Sequence, residues 1–95
     1  MEVNVKYFAT LREITDKREE KVELQEDSTV GDLLKHLVGQ YGTRFREYVV
    51  DEETGKPRAH LLFLINGTSI SSLDGLGTKL SQDSVVALMP PVGGG

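Results

Sequence analysis

The sequence predicts an α+β fold, a roll in which a mixed sheet of four to five strands packs on one main helix. Three observations predict it. The chain opens with alternating apolar and polar residues, an apolar stripe with helical spacing runs from Val30 to Tyr41, and two short apolar runs, Leu61 to Ile65 and Val85 to Met89, return after the helix. Ninety-five residues suffice for one core and are too few for two.

Val3, Val5 and Tyr7 alternate with Asn4, Lys6 and Phe8, the period of a strand with one buried face, expected over about residues 2 to 9. Leu11 and Ile14 follow in a charged stretch that reads as irregular. Lys21 to Gln25 alternates again and is short enough to pair antiparallel with the first strand. Thr29 and Asp32 match a capping box, and Val30, Leu33, Leu34, Leu37, Val38 and Tyr41 then share one helical face up to Gly42, which stops the helix. An isolated helix of this length is marginal in water, so it needs a sheet to lie on. Residues 43 to 59 read as an elaborated connection: Phe45, Tyr48, Val49 and Val50 can pack, while Asp51 to Pro57 reads as a solvated turn. The continuous run Leu61 to Ile65 predicts a strand buried on both sides or central in the sheet, turned sharply by Asn66-Gly67 toward Ile70. Leu73, Leu76 and Leu80 are expected to stitch a Gly-rich crossing segment onto the core. Val85 to Met89 forms the last strand, closed by Pro90-Pro91, which cannot continue a ladder. The domain is therefore expected over residues 1 to 89, with a flexible tail over 90 to 95.

Composition excludes several classes of function. Hydrophobic residues at 38% and charged residues at 27% argue against both wholesale disorder and a membrane protein. The opening MEVNVKYF has no continuous apolar stretch before a small-residue cleavage site, so a cytoplasmic location is expected. A net charge of −4, with no basic cluster denser than Lys17-Arg18 and Lys21, makes nucleic acid and anionic membranes poor partners. With no cysteine there is no disulfide, thiolate metal site or thiol nucleophile. His36, beside Lys35 and off the apolar stripe, and His60, at a strand start, read as surface and strand-end histidines; no metal-ligand spacing is present and no metal is expected. Gly75 to Lys79 lacks the Walker spacing and reads as a turn. The serines from 69 to 84 show no nucleophile elbow, and the acidic pairs Glu19-Glu20 and Glu52-Glu53 read as solvated surface. No autonomous active site is expected.

The informative feature is the ending, PPVGGG. Three terminal glycines arise by chance about once in 3,000. A frayed end or a cloning remnant is the ordinary explanation, but these glycines follow a strand and two prolines with no tag-like linker. Pro90-Pro91 favours extended chain and Val92 offers one apolar handle, so six residues reach roughly 19 Å from the sheet. Gly93, Gly94 and Gly95 carry no side chains, which lets a narrow channel in another protein admit the backbone and reach the α-carboxylate. A carboxylate is a poor acyl donor until it is activated, most simply as an adenylate. No ATP site is expected here, so a separate enzyme must do this. Sulfide or persulfide would then give a thiocarboxylate, and an amine would give an amide. A sulfur carrier without thiols can hold sulfur only at its terminus.

The strand-strand-helix-strand order, the opening KYFATLREI, the segment LSQDSVVALMPPV and the terminal glycines together resemble the β-grasp, ubiquitin-like sulfur carriers of the MoaD/ThiS family over essentially the whole chain. Within that family the chain is most similar to the small subunit of molybdopterin synthase of archaeal type. The resemblance implies a β-grasp roll with no bound cofactor. It also implies an E1-like enzyme that uses ATP to adenylate Gly95, conversion of Gly95 to a thiocarboxylate, and entry of the tail into the synthase large subunit to give sulfur to a pterin precursor. Gly94 corresponds to the first glycine of the family's diglycine. The chain departs from the family in having a third glycine, Gly93, either a spacer or the sign of a trimmed tail, and in the length of residues 43 to 59, which exceeds that of thiamine-pathway carriers and leaves a thiamine-pathway sulfur carrier as an alternative rather than the first choice.

Ordering three glycines costs roughly 3 to 6 kcal/mol and buries little apolar area, so a folded surface must supply the affinity. Phe8, opposite in face to Val3, Val5 and Tyr7, and Met89, beside the tail, are the expected partner surface, unless a small second core under residues 43 to 59 covers them. Three functions compete: a sulfur carrier in molybdenum or tungsten cofactor synthesis, acting as a non-catalytic subunit and co-substrate; a modifier joined to target-protein lysines through Gly95; and a non-covalent interaction module.

Overall fold

The computed structural model describes residues 1–58 and 61–90. β1 (Glu2–Tyr7) and β5 (Val85–Met89) lie parallel at the middle of one sheet, with Val5 opposite Val86 and Tyr7 opposite Leu88. β2 (Glu19–Glu23) pairs antiparallel with the outer edge of β1, β3 (Leu62–Ile65) pairs antiparallel with β5, and β4 (Thr68–Ser69) closes the far edge. The order is β2-β1-β5-β3-β4. The expected α+β roll of a mixed sheet is therefore present, and its first and last strands are neighbours.

The helix predicted from the apolar stripe is α2 (Val30–Tyr41). Its capping box is formed as the sequence suggests: Asp32 N donates to Thr29 Oγ1 at 3.2 Å and Thr29 N donates to Asp32 Oδ2 at 2.9 Å. The Thr29 backbone amide first, and then the Thr29 hydroxyl donating to the same Oδ2 at 3.1 Å, hold the Asp32 carboxyl below its ordinary value. Val30, Leu33, Leu34 and Leu37 are buried against the inner face of the sheet, where Val3, Val5, Tyr7, Val22, Phe63, Ile65, Val86 and Leu88 form the other half of the core.

Several expectations are corrected or narrowed. The charged stretch after β1 is not irregular but a short helix, α1 (Thr10–Thr15), with Leu11 and Thr15 buried one turn apart; six residues are too few to display a helical period. Residues 43 to 49 form another helix, α3 (Thr43–Val49), whose Phe45 and Val49 are fully buried at the same spacing. The turn after it is solvated as expected, with Val50 and Pro57 bridging its base. β1 ends at Tyr7 rather than residue 9, and β2 begins two residues earlier than its alternation suggests, because main-chain pairing with β1 extends to Lys6 and Glu19 whatever their side chains. β3 is interior to the sheet but not buried on both sides: Phe63 and Ile65 face the core, while Leu62 and Leu64 remain part-exposed on the other face. Leu80 is buried and Leu76 packs at the core's margin, but Leu73 is 46% exposed and anchors nothing.

The Asn66-Gly67 turn is a two-residue hairpin with both residues at positive φ, 50° and 88°. Asn66 also ties this hairpin to β5, since its Oδ1 accepts from Val85 N at 2.9 Å and its own N donates to Val85 O at 2.8 Å. Among the described residues no helix is long and apolar enough to cross a membrane.

Candidate functional site

Because β1 and β5 run parallel, their C-terminal ends lie together. Pro90, part-exposed, leaves the ladder immediately after Met89. The remaining tail residues singled out by sequence, Pro91, Val92, Gly93, Gly94 and Gly95, lie outside the described residues, as does His60.

The face of the sheet turned away from the helices divides in two. On the β2 and β1 side, cross-strand partners are charged or polar: Glu2 opposite Glu23, Asn4 opposite Lys21, and Lys6 opposite Glu19. On the β5 and β3 side they are apolar, with Leu62 opposite Met89 and Leu64 opposite Ala87. Phe8 continues the outward alternation of β1 one residue past the Tyr7–Leu88 pair, which sets it at the same end of the sheet as Met89. Phe8 and Met89 are both part-exposed. The structure thus brings these two predicted partner residues to the root of the tail. It adds Leu62 and Leu64, which sequence reasoning placed in the core; their signal was the unbroken apolar run, which a strand with one covered face does not need. Of the second core considered for residues 43 to 59, α3 packs against α1 and α2 in the helical layer, while Pro57 and Arg58 border Leu62 without burying it; Phe8, Leu62 and Met89 stay part-exposed among the described residues.

The other candidates resolve differently. His36 is exposed, at an open depression of about 590 Å³ lined chiefly by Glu23 to Ser28, Asp32 and Lys35. Among the described residues no group of three or more His, Cys, Asp or Glu is placed to hold a metal ion. Gly75–Gly77 is a single 3-10 turn, held by Asp74 N donating to Thr78 Oγ1 at 3.0 Å, so the segment is the turn that its sequence predicted.

One polar cluster was misread from sequence. Glu20 was expected in solvated surface, but its side chain is only 12% exposed. It alternates with Val22 on the inner side of β2, and that period-two offset was the available signal. Its Oε2 accepts from Tyr7 Oη at 2.5 Å and from Tyr41 Oη, and its Oε1 accepts from Lys17 Nζ at 3.3 Å. Burial disfavours ionisation of Glu20, but the bonds from Tyr41, Tyr7 and Lys17 outweigh it and hold the carboxyl below its ordinary value. Burial first, and then the bond to Glu20, push both phenols up. Lys17, beside Tyr41 with its Nζ 5.6 Å from the ring centre and bonded to Glu20, is raised too. Tyr41 meets Tyr7 edge-on at 6.3 Å and stacks on Phe45 at 5.7 Å. All four polar groups satisfy one another, so the cluster joins β1, β2 and α2 and is structural.

What the described residues build is a rigid platform with an apolar outer patch beside the origin of a tail. The ThiS family profile matches residues 5–95. Small archaeal modifier protein 3 of Haloferax volcanii is 34% identical over 95 residues, covering all of both chains. The crystal structure of SAMP1 from Haloferax volcanii superposes with a TM-score of 0.81 at 33% identity, again over the whole of both chains. A Pyrococcus furiosus structure assigned as subunit 1 of a molybdopterin converting factor matches with a TM-score of 0.75 at 28% identity, over 96% of this chain and 98% of that one. With its β-grasp sheet, its outer patch and this full-length similarity, the chain belongs to the ThiS family, a ubiquitin-like sulfur-carrier and modifier family.

Proposed function

We propose that the chain is a sulfur carrier, the small subunit of a molybdopterin synthase, that works through Gly95. The observation that supports this reading best is the convergence of the apolar outer patch, Phe8, Leu62 and Met89, on the sheet end from which the tail departs. The patch docks the domain, and the side-chain-free end enters the partner's active site. An E1-like enzyme joins the Gly95 carboxylate to AMP from ATP, releasing pyrophosphate. Sulfide attacks the acyl carbon, AMP leaves, and the thiocarboxylate remains. In the synthase large subunit this sulfur passes to the pterin precursor, and water restores the carboxylate oxygen. The chain itself needs no cofactor or metal for these steps; Gly94 and Gly93 bring no side chain to obstruct a narrow channel, and Pro90, Pro91 and Val92 are the segment proposed to bind along it.

A second reading shares the first step. The 34% identity to a protein named as a modifier favours attack on the Gly95 adenylate by a lysine amine of a target protein, which expels AMP and leaves an isopeptide. Intact-mass and peptide spectrometry after incubation with ATP, sulfide and the cognate E1-like enzyme separates the two. Replacement of one oxygen by sulfur at Gly95 is the expected result. Gly-Gly remnants on foreign lysines instead establish the modifier, and an unaltered Gly95 leaves only a non-covalent module. Deletion of Gly94 and Gly95 is expected to abolish both products.

A further inference from the structure

We infer that Arg12 is the charged half of the docking patch and takes an acidic side chain of the adenylating enzyme, an inference that rests on the reading of the patch given above. The backbone beside the patch is strained. Ala9 holds φ 53° and ψ −127°, a region that residues with a Cβ avoid and that costs on the order of 1 to 3 kcal/mol. This residue sits in a tight turn closed by Leu11 N donating to Phe8 O at 3.2 Å. The turn reverses the chain at the end of β1, so that α1 carries Arg12 back over the strand it has just left. There Arg12 Nε donates to Tyr7 O at 2.9 Å, and the guanidinium carbon stands 5.2 Å from the centre of the Phe8 ring.

The exposed cations of this region differ in how they are held, and Arg18, like Arg12, has no ion pair to a described residue but lacks the two contacts that fix Arg12. Lys17 is engaged by Glu20, and Lys21 lies 3.9 Å from Glu2. Lys6 is opposite Glu19 across the strands. For Arg12, no carboxylate among the described residues lies within ion-pair distance, although the side chain is fixed at two points. Its Nη groups, which no hydrogen bond to a described residue uses, form the planar fork that grips a carboxylate with two parallel bonds. The ordering cost of a long side chain is met before the partner arrives. The surface beside it is Phe8, Leu62 and Met89, the apolar centre of a protein interface, so the anion expected there is an Asp or Glu side chain rather than a nucleotide phosphate.

ATP–pyrophosphate exchange by the cognate adenylating enzyme, measured against carrier concentration for the full chain, tests the assignment. Arg12→Glu is expected to raise the KM for the carrier by about tenfold or more, with the KM for ATP unchanged. Arg12→Lys, which keeps the charge but not the fork, should fall between. A charge reversal at one acidic position of the enzyme should restore the Arg12→Glu carrier. A carrier KM within twofold of the native value overturns the assignment, as does a rise confined to the KM for ATP, which would place the anion on the nucleotide. Should Arg12→Glu fail to fold by circular dichroism, Arg12→Gln gives the same decision. The underlying reading has its own control: if the chain lacking Gly94 and Gly95 still drives exchange, that reading fails, whereas an inert truncation with an unaffected Arg12→Glu carrier defeats only the role of Arg12.

Discussion

Leu62 and Phe63 are consecutive apolar residues of one strand and serve opposite purposes. Phe63 turns into the core and is 4% exposed, while Leu62 turns outward and shares the open face with Met89. The same split runs along β5, where Val86 and Leu88 are buried and Val85, Ala87 and Met89 are part-exposed. An apolar residue on the inner face contributes to folding, and one on the outer face stays part-exposed and outside the core. The difference is not visible in side-chain chemistry; it follows from the two-residue period and from the fact that helices cover only one side.

The largest effect that sharpens this comparison is expected from neighbours in β5. Leu88→Ala should cost about 2 to 5 kcal/mol in urea-induced unfolding, because a filled site loses its contacts and leaves a cavity. Met89→Ala should change stability by less than about 1 kcal/mol, as a part-exposed site does, yet weaken binding to the adenylating enzyme. Equal losses of stability at the two positions would break the distinction between faces.

A smaller effect is expected at Glu20, the polar member of the inner side. Glu20→Ala leaves the hydroxyls of Tyr7 and Tyr41 without their acceptor, at about 1 to 3 kcal/mol. The native carboxyl sits below its ordinary value of 4.5, so the unfolded chain takes up a proton that the native one still refuses. Its stabilising contribution is therefore full above about pH 4.5 and is lost as pH falls through the lower native value. Glu20→Gln should flatten the acid limb of a stability-against-pH curve measured by denaturant titration. An unchanged slope would mean that the carboxylate plays no part in acid unfolding.

The smallest change in stability is expected at Phe8, where the comparison is most demanding. Phe8→Ala should alter unfolding free energy by less than about 1 kcal/mol while lowering affinity for the adenylating enzyme in titration calorimetry. Unchanged affinity would remove Phe8 from the docking surface.

Much of this was legible in the letters. The strand periods, the Thr29–Asp32 cap, the six-residue stripe of α2 and the Asn66-Gly67 hairpin are local patterns, each set by residues within about three turns or one strand of one another. Short helices were not legible, because Leu11 with Thr15, and Phe45 with Val49, offer only two buried points each. Glu20 was misjudged because acidic residues are usually solvated, and only two phenols arriving from β1 and α2 make its burial tolerable.

The sequence by itself determined the strand periods, the main helix with its cap, the exclusion of thiol chemistry and the glycine ending, since these depend on composition and on neighbours along the chain. Only the tertiary structure decided which apolar residues of β3 and β5 face outward, that Phe8, Met89 and Leu62 share one end of the sheet, and that Arg12 returns over Phe8. Those facts depend on strands from opposite ends of the chain lying in register. Register is fixed by burying one whole face at once, a collective term that no single segment contains.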